Sequence, residues 1–206
     1  MRQPLGAPIN REFFARPTIA VAPELLGSLF IVDAGGGDEV RARIVEVEAY
    51  LGLDDPASHA YRGPTKRSAI MFGAPGHLYV YLSYGVHHCA NLICEPAGTA
   101  GAVLIRSAAV EVGEDIVRWR REEGGRRSAV PSDALLRGPG NLCRGLGLSL
   151  TDNGLDVCSA TSRVRLIGAR QDGAVVTARR IGISRAQEVA LRFCIRGDAA
   201  VSLPRP

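Results

Sequence analysis

Residues 41–50 read RARIVEVEAY, in which polar and apolar side chains alternate. A period of two fits an extended strand with two unlike faces, and it excludes a helix, which repeats every 3.6 residues. The same texture recurs along the chain. HLYVYLSYG (77–85) and VHHCANLICE (86–95) are strand-like runs meeting at Tyr84-Gly85, a hairpin turn by composition. AGAVLIRSAAV (100–110), VRLIGAR (164–170), VVTARRIGI (175–183) and LRFCIRG (191–197) read as further strands. Helical signals are fewer. One pattern is centred on residues 25–29 and runs into a strand near residues 30–32. EVGEDIVRWRREE (111–123) places acids early and arginines late, as the helix dipole favours. RGPGNLCRGLGLS (137–149) suits a turn and a short helix. Gly35 to Gly37 form a turn, residues 52–68 a loop, and residues 122–133 a flexible basic loop. Strands outnumber helices and no βαβ period is visible. The expectation is a single α+β domain spanning residues 1–206, with a curved, mostly antiparallel sheet, flanking helices and a protruding β-hairpin. Residues 1–15 are expected to be loosely ordered.

The 206 residues are 46% hydrophobic, enough for a real core, and contain no apolar run of about 18 residues that would span a membrane. The N-terminal stretch lacks the apolar segment of a signal peptide. Five cysteines with no CxxC pair read as free thiols in a reducing cytoplasm. The net charge is +4, and Lys66 is the only lysine, so arginine supplies the positive field. Forked guanidinium hydrogen bonds suit phosphate and so a polyanion. A GC-rich genome is the bland explanation of the bias, but it leaves the field in place.

Residues 46–63, EVEAYLGLDDPASHAYRG, gather four carboxylates, two tyrosines and a histidine. Alternation puts Val45, Val47 and Ala49 on one face of their strand and Ile44, Glu46, Glu48 and Tyr50 on the other. On the hairpin, Leu78, Val80 and Leu82 share a face opposite Tyr79 and Tyr81, with Tyr84 at the turn. Aromatic residues make up only 5% of the chain, so this clustering stands out. Alternating tyrosines are ordinarily cross-strand packing pairs; on a basic chain they also suit stacked nucleobases. Spacing does not choose between Glu46 and Glu48, and Asp54 and Asp55 are further candidate acids. His87, His88 and Cys89 are adjacent on a strand, point to opposite faces and cannot chelate one ion together. HExxH, HxE…PCxxC, P-loop, GxGxxG and GxSxG signatures are all absent. No metal and no cofactor are expected.

VEVEAYLGLDDPASHAYRGPTKRS (45–68), MFGAPGHLYVYLSYGVHHCANLICE (71–95) and AVLIRSA (102–108) resemble the alkyladenine (3-methyladenine) DNA glycosylase family, the monofunctional mammalian-type enzymes and their bacterial relatives. The likeness runs in order from about residue 25 to residue 202. It implies hydrolysis of the N-glycosidic bond of alkylated or deaminated purines in double-stranded DNA, by a monomer that works in the bacterial cytoplasm on the nucleoid. It implies Glu48 as the base that activates water, with Arg106 orienting the site. Tyr50 and Tyr81 become the rings that sandwich a flipped base, and His59 a pocket residue that hydrogen-bonds the lesion or its sugar-phosphate. Asn91 disfavours the 2-amino group of guanine, Tyr84 is the wedge entering the duplex, and Thr65, Lys66 and Arg67 contact the DNA backbone. The positive charge of N3- or N7-alkylated purines is expected to strengthen stacking on electron-rich rings. With Lys66 the only amine side chain and set in a loop, water is the expected nucleophile, without lyase activity. Ser68, Val86, Ala90 and Asn141 depart from the family's usual Asn, Met, Met and Lys. Two other readings are a non-catalytic nucleic-acid-binding module of the same fold and a sugar hydrolase using Glu46 with Glu48.

Overall fold

The computed structural model describes residues 6–122, 129–168 and 173–206. Its helices are α1 (Arg11–Phe14), α2 (Thr18–Glu24), α3 (Glu114–Glu122) and α4 (Pro139–Leu146). Its strands are β1 (Leu29–Asp33), β2 (Glu39–Tyr50), β3 (Leu78–Ser83), β4 (His87–Ile93), β5 (Ala102–Val112), β6 (Val164–Ile167), β7 (Val175–Ala178) and β8 (Arg192–Ile195). The expected single α+β domain is present. All pairings are antiparallel, in the order β3-β4-β5-β2-β1-β6, with β7 and β8 joined to β2 through β8.

β2 organises the sheet. Its 12 residues pair with β5 along one edge; along the other they pair first with β1 and then, at Glu46–Glu48, with β8. A single strand thus serves two neighbours in succession on one edge, and the sheet curls at that point. The ladder slips between Ile44 and Glu46 and again between Glu46 and Val47, leaving Val45 and Arg106 without partners in the β2–β5 register. Such irregularities re-aim side chains. Ile44 and Val45 both join the apolar core, so strict alternation breaks at Ile44, while Glu46 and Glu48 still reach the same arginine.

The helices follow their local chemistry. In α3, Arg118 bonds Glu114 at 2.7 Å and Glu122 at 3.3 Å, one turn away on either side. Pro139 opens α4 and Gly147, at φ 68°, closes it in the left-handed conformation that glycine adopts without strain. The helix expected around residues 25–29 lies earlier, at Thr18–Glu24. Gly27 turns the chain with φ 85° and donates its N–H to Ile44 O at 2.8 Å, which ties it to the sheet. The loosely ordered start expected for residues 1–15 does not extend to residues 9–14. Ile9, Phe13 and Phe14 are buried in the main core, and Arg11 bonds Asp156 at 2.6 Å. Residues 123–128, half of the basic loop expected at 122–133, lie outside the described residues, as do residues 1–5. Among the described residues no helix is long and apolar enough to cross a membrane.

The hairpin forms as read, β3 pairing β4 from Leu78↔Leu92 to Ser83↔His87. Leu82 keeps its expected face but lies beyond the core and is exposed. The strand expected over 175–183 stops at Ala178; residues 179–183 leave the sheet and run beside the C-terminal end of β2.

Candidate active site

Two glutamates on one strand have opposite surroundings. Glu46 and Glu48 are both fully buried. Glu46 accepts from Arg106 Nε at 2.9 Å, Arg192 Nε at 2.7 Å, Ser107 Oγ at 2.9 Å, Ser202 N at 2.7 Å and Ser202 Oγ at 2.7 Å. Five donors satisfy a carboxylate. Burial alone would raise its pKa, but Arg106, the Ser202 bonds and Arg192 outweigh it and hold the group below the usual carboxylate range. Arg192 also donates to Ser202 O and Pro204 O, each at 3.0 Å, so the network around Glu46 fastens the C-terminal segment to the sheet.

Glu48 has fewer donors. Its Oε1 accepts from Ile181 N at 2.8 Å and lies 3.2 Å from Arg106 Nη1, and its Oε2 accepts from the Tyr50 hydroxyl at 2.9 Å. Burial raises its pKa above the ordinary glutamate value; Arg106, the Ile181 N–H and the Tyr50 hydroxyl only partly counter it. A carboxylate oxygen offers about two acceptor positions, and Oε2 accepts from Tyr50 alone among the described residues, so its second lone pair has no protein donor. Arg106, at its irregularity in β5, inserts between the two acids with Nε on Glu46 and Nη1 on Glu48. Spacing could not separate the two glutamates, whereas their partners do.

Tyr50 and Ile181, which donate to Glu48, and Arg106, which pairs with it, all line a cleft of about 820 Å³. Its other walls include His59, Tyr79, Tyr81 and Asn91. His59 Nδ1 is 3.0 Å from the Tyr79 hydroxyl, and its ring meets Tyr81 edge-on at 4.6 Å between centroids. Burial, and after it the nearby Arg67, lowers the His59 pKa to about 4, so the imidazole is neutral at neutral pH. Asn91, buried on β4, donates Nδ2 to Tyr79 O at 3.1 Å, which fixes its amide. Burial, then the Glu48 charge, raises the Tyr50 pKa, so its hydroxyl stays protonated and donates.

Tyr84 sits at the hairpin tip, 90% exposed, at the lip of the same cleft. Its φ is 49° and that of Gly85 is 71°, and Val86 N closes the turn on Ser83 O at 3.0 Å. A tyrosine in the left-handed region is uncommon and mildly strained, a condition that concentrates at functional positions. α4 forms the wall facing the hairpin: an added Cβ at Gly140 would stand 2.9 Å from the His87 ring. Ser107 Oγ accepts from Gly138 N at 3.0 Å while donating to Glu46, which couples this wall to the buried acid.

Of the expected backbone-contact residues, Thr65 and Lys66 are exposed outside the cleft lining, in a turn held by the buried Ser68, which bonds Thr65 and Gly63. Arg67 stands elsewhere, within the cleft and over the Tyr81 ring. Asp54 is exposed, whereas Asp55 is buried and holds Arg180 through two hydrogen bonds. Ile181, Arg180, Arg192 and Ser202 did not emerge from the sequence. Gly182, in RIGIS, was the one available sign that the chain leaves the sheet there. Among the described residues no group of three or more His, Cys, Asp or Glu is placed to hold a metal ion.

The chain is similar to known proteins along nearly its whole length. The family model for methylpurine-DNA glycosylase matches residues 12–199. A Frankia casuarinae protein named as a 3-methyladenine DNA glycosylase is 46% identical, over 98% of this chain and 95% of its own. A Rhodopseudomonas palustris protein of the same name is 44% identical, over 97% and 92% respectively. One from Corynebacterium jeikeium is 45% identical, over 95% and 92%.

Proposed function

Because the chain belongs to the methylpurine-DNA glycosylase family, we propose that it is a DNA repair enzyme that flips alkylated or deaminated purines out of duplex DNA and hydrolyses their N-glycosidic bond with an activated water. The observation that carries this reading is the setting of Glu48, whose two hydrogen-bond donors, Tyr50 and Ile181, and ion-pair partner Arg106 all line an aromatic cleft and leave the second lone pair of Oε2 without a protein donor among the described residues.

Enzymes cannot reach a glycosidic bond inside the base stack, and extrusion of the base costs a few kcal/mol. Tyr84, strained and exposed, enters the vacated position as a wedge and offsets part of that cost. The base enters the cleft against Tyr50 on one side and Tyr81 with His59 on the other, and each base–aromatic contact returns about 1–3 kcal/mol. Neutral His59 offers one donor and one acceptor nitrogen to the lesion. Asn91, held by Tyr79 O, crowds the 2-amino group that marks an undamaged guanine.

The chemical step follows from the two oxygens of Glu48. Arg106 and the Ile181 N–H favour the ionised carboxylate and partly offset the cost of burial. The free position on Oε2 takes a proton from water as the water oxygen bonds to the sugar carbon C1′. The C1′–N bond breaks, and its electron pair leaves with the base. Negative charge on Glu48 also stabilises the oxocarbenium-like sugar as it forms. Lys66 is exposed and outside the cleft lining, so no lysine amine competes with water there, and the product is an intact abasic strand without lyase cleavage. The test is base release from duplexes carrying hypoxanthine or 3-methyladenine. The wild type should release base and leave an unbroken abasic strand, while Glu48→Gln should bind lesion DNA and release nothing. Failure of the wild type to release any damaged purine would overturn the proposal.

A further inference from the structure

Each of the two rings assigned to the flipped base carries a guanidinium. Arg67 Cζ stands 4.7 Å from the Tyr81 centroid, and Arg180 Cζ stands 4.7 Å from the Tyr50 centroid. Their situations differ. Arg180 is buried, bonded to Asp55 at 2.5 and 2.8 Å, and outside the cleft lining. Arg67 is exposed, lines the cleft, and enters none of the ion pairs among the described residues. Arg106, the other cleft arginine near the base, is neutralised between Glu46 and Glu48. Arg185, exposed on the rim, adds a further positive charge.

We propose that Arg67, by its charge over the Tyr81 ring, biases the pocket toward electrically neutral flipped purines such as hypoxanthine and against purines with a fixed positive charge such as N7-methylguanine. This deepens the glycosylase reading and rests on it. A bare tyrosine face attracts a cation through its negative quadrupole. Here the Tyr81 quadrupole is already engaged by a guanidinium, and a cationic base would bring a second positive charge against it. The expectation that followed the family resemblance, that alkylation charge strengthens stacking, is therefore reversed at this ring. A neutral base stacks on the same ring without that repulsion. The same positive field contributes to holding His59 neutral, so the imidazole adds no further charge. The assignment also moves Arg67 from the DNA backbone, where its place in the TKRS turn had put it, to the lesion itself.

The measurement is single-turnover base release at fixed salt from two duplexes that differ only in carrying hypoxanthine or N7-methylguanine. The proteins are the wild type, Arg67→Gln, Arg67→Lys and Lys66→Gln. Taking each variant's N7-methylguanine to hypoxanthine rate ratio relative to wild type cancels the intrinsic lability of the two bonds. Arg67→Gln should raise this ratio on the order of tenfold, as expected for removing one unit charge at this range. Arg67→Lys keeps the charge and should stay near the wild-type ratio, and Lys66→Gln should scale both rates together. Equal loss on both lesions in Arg67→Gln would make Arg67 a phosphate contact and overturn the proposal. An unchanged ratio in Arg67→Gln, or an Arg67→Lys ratio that moves as far as that of Arg67→Gln, would also overturn it. Release of neither base by the wild type would sink the glycosylase reading, an outcome distinct from a charge-insensitive ratio.

Discussion

Replacing each glutamate of β2 in turn by glutamine should separate stability from chemistry. Glu46→Gln keeps the volume but removes the charge shared by two buried arginines, Arg106 and Arg192. It also turns an amide N–H₂ toward donors, because both oxygens of Glu46 accept from elsewhere. Breaking one side of a buried ion pair costs about 3–5 kcal/mol. For a domain of this size that corresponds to a fall in Tm of roughly 6–20 °C. Glu48→Gln should behave in the opposite way. The folded protein raises the Glu48 pKa, so it binds that proton more tightly than the unfolded chain does. The stability this contributes is full below the unfolded carboxyl value and is lost as pH rises through the folded one. A neutral isostere therefore removes a cost at neutral pH. The glutamine oxygen still accepts from Ile181 N and Arg106, and its N–H₂ can donate to the Tyr50 hydroxyl oxygen. Thermal unfolding of Glu48→Gln should thus match or exceed the wild type while base release falls by about 10²-fold or more, the usual worth of a general base. The assays are Tm by calorimetry and single-turnover release of hypoxanthine. A Glu48→Gln protein as destabilised as Glu46→Gln, or a fully stable but inactive Glu46→Gln beside an active Glu48→Gln, would refute this division of roles.

Three other perturbations follow from the site. Base release should require ionised Glu48, so the acidic limb of kcat/KM should lie above the ordinary glutamate value of about 4.3. In Tyr50→Phe, which removes a bond that stabilises the carboxylate, that limb should move higher still, as read from a pH–rate profile. Tyr84→Ala should leave Tm unchanged, because the side chain is exposed, yet weaken lesion-duplex binding in a fluorescence titration; excision from single-stranded DNA, where nothing needs wedging, should be spared. Gly52→Ala should destabilise the protein by about 2 kcal/mol or more in urea unfolding. Its φ of 78° penalises an L side chain and a Cβ would collide with the Ala100 carbonyl, so the loop bearing His59 would be displaced.

What the sequence carried and what it did not follow from the range of the forces involved. Strands are legible because alternation is local: β2, the β3–β4 hairpin and β5 lie where period two places them. The helix near residue 25 was misplaced because a long-range bond, Gly27 N–H to Ile44 O, rather than local propensity, sets where the chain turns. The site divides along the same line. Tyr84 at its turn is a matter of neighbours in one hairpin, visible in the residues themselves. The difference between Glu46 and Glu48 is not. Both are fully buried acids two residues apart on the same strand. What distinguishes them comes from far along the chain: Arg192 and Ser202 converge on Glu46, while the backbone of Ile181 and the ring of Tyr50 serve Glu48. Arg106 reaches both only because the β2–β5 register slips at its position, and an irregular ladder leaves no periodic trace in sequence. The proposed assignment therefore rests on the contrast between an acid saturated by five donors and an acid with one lone pair that no protein donor meets among the described residues. Alternation identified the pair of glutamates, and only tertiary contacts distinguish the one proposed as the base from the one whose network ties the C-terminal segment to the sheet.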